Sequence, residues 1–500
     1  MESSLSLWQE GANERNQRRE EPMFACVRLE ELIPSGHILR RIDRWIDFSI
    51  IHEKTAGLYS RTGRPSIDPE VLIRMMVVGY LYGITSERRL CREVQLNLGY
   101  RWFCGLTLED KVPDHSTFSK NRYGRFSESG LFRGLFQAVV QQAQKHGLVK
   151  GQHLTVDATT MQANASLGSL EEIIVPYNPE EYLDKVEQEN PAEEPPLANT
   201  GKTLSNETHI SRTDPDARIF RKQFEKTKLA YSDNVLMDNA SRVILDVEVT
   251  EPNLHQEGQV AGEMLQRSRF AYGIKPESIG GDKAYGSGPA VRGICEAGVK
   301  PYVGLSAPKG PHIEGIYPKE DFIYDKEKDE LICPAGKRLW RRTTHKRNRQ
   351  IEYVSSKADC KVCARKSLCT RAPCRVVHRH LDKDFLDYAA ELRGTDGYRI
   401  SQRCRKKVEM LFGEAKEFMG LRRARRRGCQ NLMEQCLITA TVQNIKRIIQ
   451  VFERKASIIS QNSIRWVSDS FVHLVGIAQT ILSGIIPRKF VVFIGNPSLY

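Results

Sequence analysis

The chain has 500 residues, a formal net charge of +13 and a pI near 9.1, long enough for more than one domain around a large core. This balance suits a polyanionic partner, because Lys and Arg gain affinity by displacing counterions from phosphates. Ribosomal, membrane-surface and nucleic-acid enzymes share it, so charge narrows the class without choosing within it. The stretch from Met1 to Glu21 is polar and lacks the apolar core of a signal peptide. The longest apolar run, Phe471 to Ile486, is shorter than the roughly 20 residues of a membrane helix and reads as a buried or interfacial helix. Of the twelve cysteines, several cluster as metal ligands do rather than spreading as a disulfide framework. The expected setting is a reducing cytoplasm, with no membrane partner.

In chain order, residues 1–21 read as a disordered tail and 22–130 as a helical N-terminal domain. Asp68-Pro69 places an N-cap before proline at the first helical position, and Val71, Leu72, Met75, Met76 and Tyr80 recur at helical spacing up to Gly83. Ser86 caps a second helix running to Gly99. The glycine-bearing turn Gly83-Ile84-Thr85 between the two has the form of a helix-turn-helix. The second helix carries Arg88, Arg89 and Arg92 as candidate DNA contacts, or as solvated arginines of an ordinary helical pair. A third helix is expected near Ser116.

From about Gly151 the pattern turns to strands. His153-Leu-Thr-Val-Asp157 alternates, and residues 167–225, acidic and rich in proline, read as a loop or disordered insertion outside the core. Strands are expected at Leu229–Asp238 and Val243–Thr250, a helix at Gln259–Tyr272, then Ser278-Ile-Gly-Gly-Asp282, a helix at Pro289–Ala297 and a strand at Lys300–Leu305. The fold class is therefore α/β. The order β-β-β-α-β-α-β predicts a ribonuclease H-like catalytic core over 150–310 and 396–450, with Asp157 on the first, central strand and Asp282 at the end of the fourth.

Residues 311–395 read as a cysteine-rich insertion. Cys333, Cys360, Cys363 and Cys369 form C-x26-C-x2-C-x5-C, with the paired close spacing that a tetrahedral Zn²⁺ site needs. Cys374 or His378 can substitute for a ligand, and unliganded thiols are the alternative. Arg338, Arg341, Arg342, Lys346 and Arg347 lie near these cysteines within the insertion, which would help to grip DNA.

Next comes a helix containing Arg405, Glu409 and Lys416 in the pattern R-x3-E-x6-K. At about 100° per residue these three fall within about 40° of one another. Val408, Leu411, Phe412, Ala415, Phe418 and Met419 form the adjoining apolar stripe, and Glu414 and Glu417 point away. The run Arg422, Arg423, Arg425, Arg426 and Arg427 follows directly, and a phosphate-gripping role is preferred over a solvated basic turn. Residues 451–500 are a variable C-terminal extension.

Asp157, Asp282 and Glu409 are three acids that separate elements can bring together. Such a set can hold two Mg²⁺ (or Mn²⁺) ions for phosphoryl transfer. Neither a G-x-S-x-G nor a Walker-type loop offers a competing chemistry.

Asp157 in Leu-Thr-Val-Asp-Ala-Thr, Asp282 in Gly-Gly-Asp-Lys-Ala-Tyr-Gly and the Arg405–Glu409–Lys416 spacing resemble the DDE transposases of bacterial insertion sequences, most closely the IS5/IS1182-like group of the IS4 superfamily. Arg64-Pro-Ser-Ile-Asp-Pro to Pro113-Asp-His-Ser-Thr-Phe resembles that group's N-terminal DNA-binding domain. The likeness spans roughly residues 25–450. It implies that the three acids are the catalytic metal ligands and that Arg405 and Lys416 contact or orient transposon-end DNA. It also implies that double-stranded DNA, both terminal inverted repeats and target, is the partner of a homo-oligomer on paired ends. One departure is Gln402, where the family pattern carries tyrosine. The alternatives are a non-catalytic DNA-binding protein derived from a transposase and a related metal-dependent nuclease.

Overall fold

Capping chemistry sets the N-terminal helices. In a computed structural model, the Asp68 side chain accepts a hydrogen bond from the Glu70 N–H and Pro69 opens the helix Pro69–Leu81. Ser86 accepts from the Arg89 N–H to start Glu87–Leu96. That second helix stops three residues before Gly99, because Asn97 caps a separate short helix, Leu98–Phe103. Asp114 caps the next, His115–Lys120. The structure describes residues 28–454, apart from 60–61, 63–65, 128, 174–203, 223–224, 253, 306–314 and 347. The expected tail, most of the acidic insertion, Arg347 and the extension from 455 onward, including Phe471 to Ile486, lie outside the described residues.

A mixed six-stranded sheet follows. Strand β1 (His153–Gln162) is central. After the short pair β2 (Leu170–Glu172) and β3 (His209–Ser211) come β4 (Arg218–Phe220), β5 (Lys228–Asp238), β6 (Ile244–Thr250), β7 (Ser278–Gly281) and β8 (Lys300–Val303). β5 runs antiparallel to β1 on one side, and carries β4 and β6 on its far edge. β7 runs parallel to β1 on the other side, and β8 parallel to β7. The helices Leu254–Tyr272 and Gly288–Glu296 make the crossovers. The expected alternation of strands and helices is present, with one correction: residues 167–225 are not wholly outside the core. β4 joins the main sheet, Asp214 and Ala217 are buried, and the Tyr231 hydroxyl donates to Asp214 at 2.6 Å. Composition misled because the acidic, proline-rich portion is interleaved with this short strand.

The helix Asp396–Phe418 packs over β1, β7 and β8. Val408, Phe412, Ala415 and Met419 are buried as the stripe requires, but Phe418 is 68% exposed. Residues 429–454 form a last helix whose Asn444 side chain both accepts from the Ile244 N–H and donates to the Ile244 carbonyl, each at 2.8 Å. One continuous apolar cluster runs from Leu39 in the N-terminal helices through the sheet to Phe452 in this last helix.

The cysteine-rich segment forms its own antiparallel sheet: β9 (Ile323–Asp325), β10 (Glu330–Ile332), β11 (Arg338–His345), β12 (Gln350–Ser355) and β13 (Val376–His380). Its apolar core is small, made of Phe322, Leu331, Leu339, Ile351, Tyr353 and Val377.

Candidate active site

Register brings the first two acids together. β1 and β7 pair Thr155 with Gly280, so two residues further along the parallel direction Asp157 stands level with Asp282, one strand away. Adjacent strands are about 4.8 Å apart. The Asp157 carboxylate accepts from the Ala158 N–H at 2.9 Å, and Asp282, the first residue beyond β7, accepts from the Ala284 N–H at 2.8 Å. Asp157, midway along β1, and Asp282, just past the carboxyl end of β7, are thus both held by backbone N–H groups. Glu409 comes over this end on the helix Asp396–Phe418 and is exposed.

The electrostatics register this convergence. Asp157 is 8% exposed, and burial pushes its carboxyl up to about 6. The Ala158 N–H opposes this shift, Asp282 and Glu409 add to it by charge repulsion, and Arg405 opposes it. Arg405 ion-pairs with Asp157 at 3.5 Å, so its carboxylate partner is the strand aspartate rather than Glu409, its neighbour one turn along. The Arg405 Nε atom is buried with no hydrogen-bond partner.

Lys416, the other cation of the motif, is half-buried, and burial followed by Lys228, Arg422 and Lys222 pulls its ammonium down. Asp233 on β5 is the counterion that opposes this. Lys416 therefore belongs to a basic cluster beside the triad. The rival carboxylates are engaged elsewhere: Glu414 pairs with Lys446 of the last helix and Glu417 with Arg422.

Gln402, where a tyrosine was expected, has a structural task that the motif alone did not disclose. Its side-chain amide donates to the Tyr302 carbonyl at 2.9 Å and to the Gly281 carbonyl at 3.4 Å, tying the Glu409 helix to β8 and to the residue before Asp282. The helix also needs a bare backbone beneath it. A Cβ on Gly280 would lie 2.3 Å from the Ser401 hydroxyl, which accounts for the first glycine of Gly-Gly-Asp282.

The arginine run divides. Arg425 stacks over Tyr80, 4.1 Å from the ring centre, and donates to the Met419 carbonyl. Arg426 pairs with Glu434 at 2.6 Å. These two turn inward, against the expectation of a continuous phosphate-facing run, because the run is sewn to the end of β1. The Gln162 N–H donates to the Arg422 carbonyl, and the Ala424 N–H donates to the Gln162 carbonyl. Arg422, Arg423 and Arg427 remain exposed. On the second N-terminal helix, Arg88, Arg89 and Arg92 are all exposed, with Arg88 donating to His115 at 3.2 Å and Arg89 paired with Glu93.

Cys333, Cys360, Cys363 and Cys369 line one pocket, which neither Cys374 nor His378 lines. Burial raises the Cys369 thiol, Arg375 opposes this, and the other three cysteines push it further up. The Cys333 sulfur accepts from the Lys337 N–H at 3.3 Å. His378 instead stands with His345 and Glu352.

Two family models match the sequence: "Transposase domain (DUF772)" over residues 27–123 and "Transposase DDE domain" over residues 332–449. Both models describe transposase domains. The second match contains Glu409 and the four clustered cysteines; Asp157 and Asp282 lie between the two matched segments. No curated protein sequence matches. Among solved structures, a piggyBac transposase synaptic complex with hairpin DNA is similar at 10% identity and a TM-score of 0.31, over 82% of this chain and 74% of that one. No helix among the described residues is long and apolar enough to cross a membrane.

Proposed function

We propose that this protein is an insertion-sequence transposase of the IS5/IS1182-like group that cleaves DNA at element ends and joins the freed end to target DNA. The observation that carries this reading is the convergence of Asp157, Asp282 and Glu409 from a central strand, the end of its parallel neighbour and an overlying helix. A cluster of three acids around a buried aspartate fits bound divalent cations, and its all-oxygen donors fit Mg²⁺ or Mn²⁺. Two such ions, when bound, lower the pKa of an attacking water or 3′-hydroxyl and stabilise the leaving oxygen.

The protein's own residues do the rest. Asp157 and Asp282 are fixed by backbone hydrogen bonds, so they need no reorganisation. Glu409 closes the site from the helix. Arg405 neutralises part of the charge on Asp157, while Lys416 and exposed Arg422 and Arg423 offer cations beside the site for the phosphates of a transposon end. Arg88, Arg89 and Arg92 supply a second basic surface on the helical pair, suited to recognition of terminal inverted repeats. Synapsis of two ends calls for a homo-oligomer acting in the nucleoid. The four-cysteine pocket fits a structural Zn²⁺, which would supply the small sheet with a cross-link that its core lacks.

Asp157→Ala and Glu409→Ala are expected to abolish strand cleavage on end-bearing DNA in Mg²⁺ or Mn²⁺ while leaving binding to that DNA largely intact. Full cleavage by either variant would overturn the site assignment. Lost binding with a lost fold would not count, so the thermal transition of each variant is read alongside.

A further inference from the structure

Outside the acidic site and the cysteine pocket, three metal-ligating side chains meet on the small sheet. His345 ends β11, Glu352 lies on β12 and His378 on β13. Glu352 and His378 are direct cross-strand partners, and His345 lies two residues beyond Thr343, the partner of Glu352. One ligand atom from each falls within 4.8 Å of the other two. Among the described residues this is the one group of three His, Cys, Asp or Glu side chains that meets so closely. The acids and the cysteine sulfurs are each spread wider.

The group also has the inner organisation of a ligand set. Glu352 is 6% exposed, and its two oxygens are differentiated. Arg342 pairs with Oε1, whereas Oε2 faces the His345 Nε2 atom at 3.3 Å. Ligating carboxylates are commonly held by such an outer partner, which leaves one oxygen directed at the metal. The two imidazoles tilt towards each other, with ring centres 5.8 Å apart and planes at 58°. His345 and His378 are exposed, so modest side-chain rotation brings the donors to the separation of about 3.3 Å set by metal–ligand bonds of about 2.0 Å. Strand alternation puts the cluster on the sheet face opposite Ile351 and Tyr353, away from the small apolar core, where Cys333 and Cys369 pack. It is therefore distinct from the cysteine pocket.

We infer that His345, Glu352 and His378 form a second transition-metal site, a two-histidine, one-carboxylate set for Zn²⁺ or a similar first-row divalent ion with a solvent-facing coordination position. The donor chemistry decides the ion. Two neutral imidazoles favour Zn²⁺, Ni²⁺ and Cu²⁺ over Mg²⁺ and Ca²⁺, and Arg342 offsets the single anionic charge, which further disfavours hard cations. With three protein donors the site keeps one position open, as exchangeable sites do and closed structural sites do not. The ion would join three adjacent strands at the end of the sheet where Arg342 and Lys346 are also exposed.

The test is metal content and spectrum of the full chain, with no appeal to cleavage. Purified protein is loaded with Zn²⁺ and dialysed, and zinc per chain is compared between wild type, His345→Ala/His378→Ala and Glu352→Gln. The double variant is expected to hold one zinc fewer per chain than wild type. Glu352→Gln, which keeps the size but gives up the charge and one acceptor oxygen, is expected to bind that zinc at least tenfold more weakly. Co²⁺ titration gives the matching signature: a step with visible d–d absorption and no thiolate charge transfer, present in wild type and lost in the double variant. Any thiolate band is expected to persist in both variants, which shows that the sheet is intact. Equal zinc content across all three proteins, or an unchanged thiolate-free cobalt step, would overturn the site. Because the readout is a difference of one ion, it stands whether or not the cysteines bind zinc or the acids cleave DNA.

Discussion

The sheet that carries Asp157 is covered on both faces, with nearly every residue of β5 buried, whereas the sheet of β9–β13 buries six residues on one face and leaves Trp340, His345 and His378 exposed on the other. The first draws its stability from apolar area shared with the N-terminal helices and the last helix. The second has too few buried side chains to hold five strands by burial alone. Where apolar burial is scarce, ligation is the proposed substitute: cysteines and histidines gather in the small sheet, while the large one carries Asp157 on its central strand and Asp282 just beyond the end of β7. A sheet held by burial and a sheet proposed to be held by ligation thus lie side by side in one chain.

That contrast is open to direct attack. The largest expected effect is on the small sheet: Cys360→Ser/Cys363→Ser, or a strong zinc chelator, is expected to remove several kcal/mol of its stability. Amide exchange should then accelerate across residues 323–380 while β1 and β5 stay protected. Uniform exchange in both sheets, or no change in either, would erase the distinction. Next in size is Gly280→Ala, which places a methyl against the Ser401 hydroxyl and is expected to cost about 1–3 kcal/mol of stability in the large sheet. Adding Ser401→Ala removes the clashing oxygen and should restore most of the loss in a denaturant titration. The smallest is Gln402→Ala, which gives up hydrogen bonds worth about 1 kcal/mol, or about fivefold in rate if all of it falls on the placement of Asp282. Cleavage should slow while DNA affinity stays constant, and an equal fall in both would argue that Gln402 touches DNA instead.

The main sheet was legible from its runs of strand-forming residues set between turns and helices, and the N-terminal helices from their strong caps: Asp68-Pro69 and Ser86 act as anticipated. Helical periodicity also set Glu409 apart from Glu414, which is tied to Lys446. Other features depend on tertiary placement. Nothing local says that Arg405 will reach across to Asp157, or that Arg425 will turn inward onto Tyr80, since the partners are far away in sequence. β4 escaped notice because three residues in a polar, proline-rich segment carry no usable period. The histidine–glutamate cluster needed the register of three strands and a bulge between Arg341 and Thr343, which spacing alone does not encode.

The turn at Gly83 bears on how the molecule fits together. Gly83 has φ +67° and sits so close to the Phe418 carbonyl that a Cβ there would approach it to 2.6 Å. The neighbouring Thr85 methyl crowds Gly420 in the same way. Thus the joint between the two arginine-bearing N-terminal helices rests directly on the last turn of the helix that carries Glu409. A side chain at either glycine would wedge the two apart, so the bare backbone at Gly83 and Gly420 is what lets the arginine-bearing pair seat against the helix that holds Glu409.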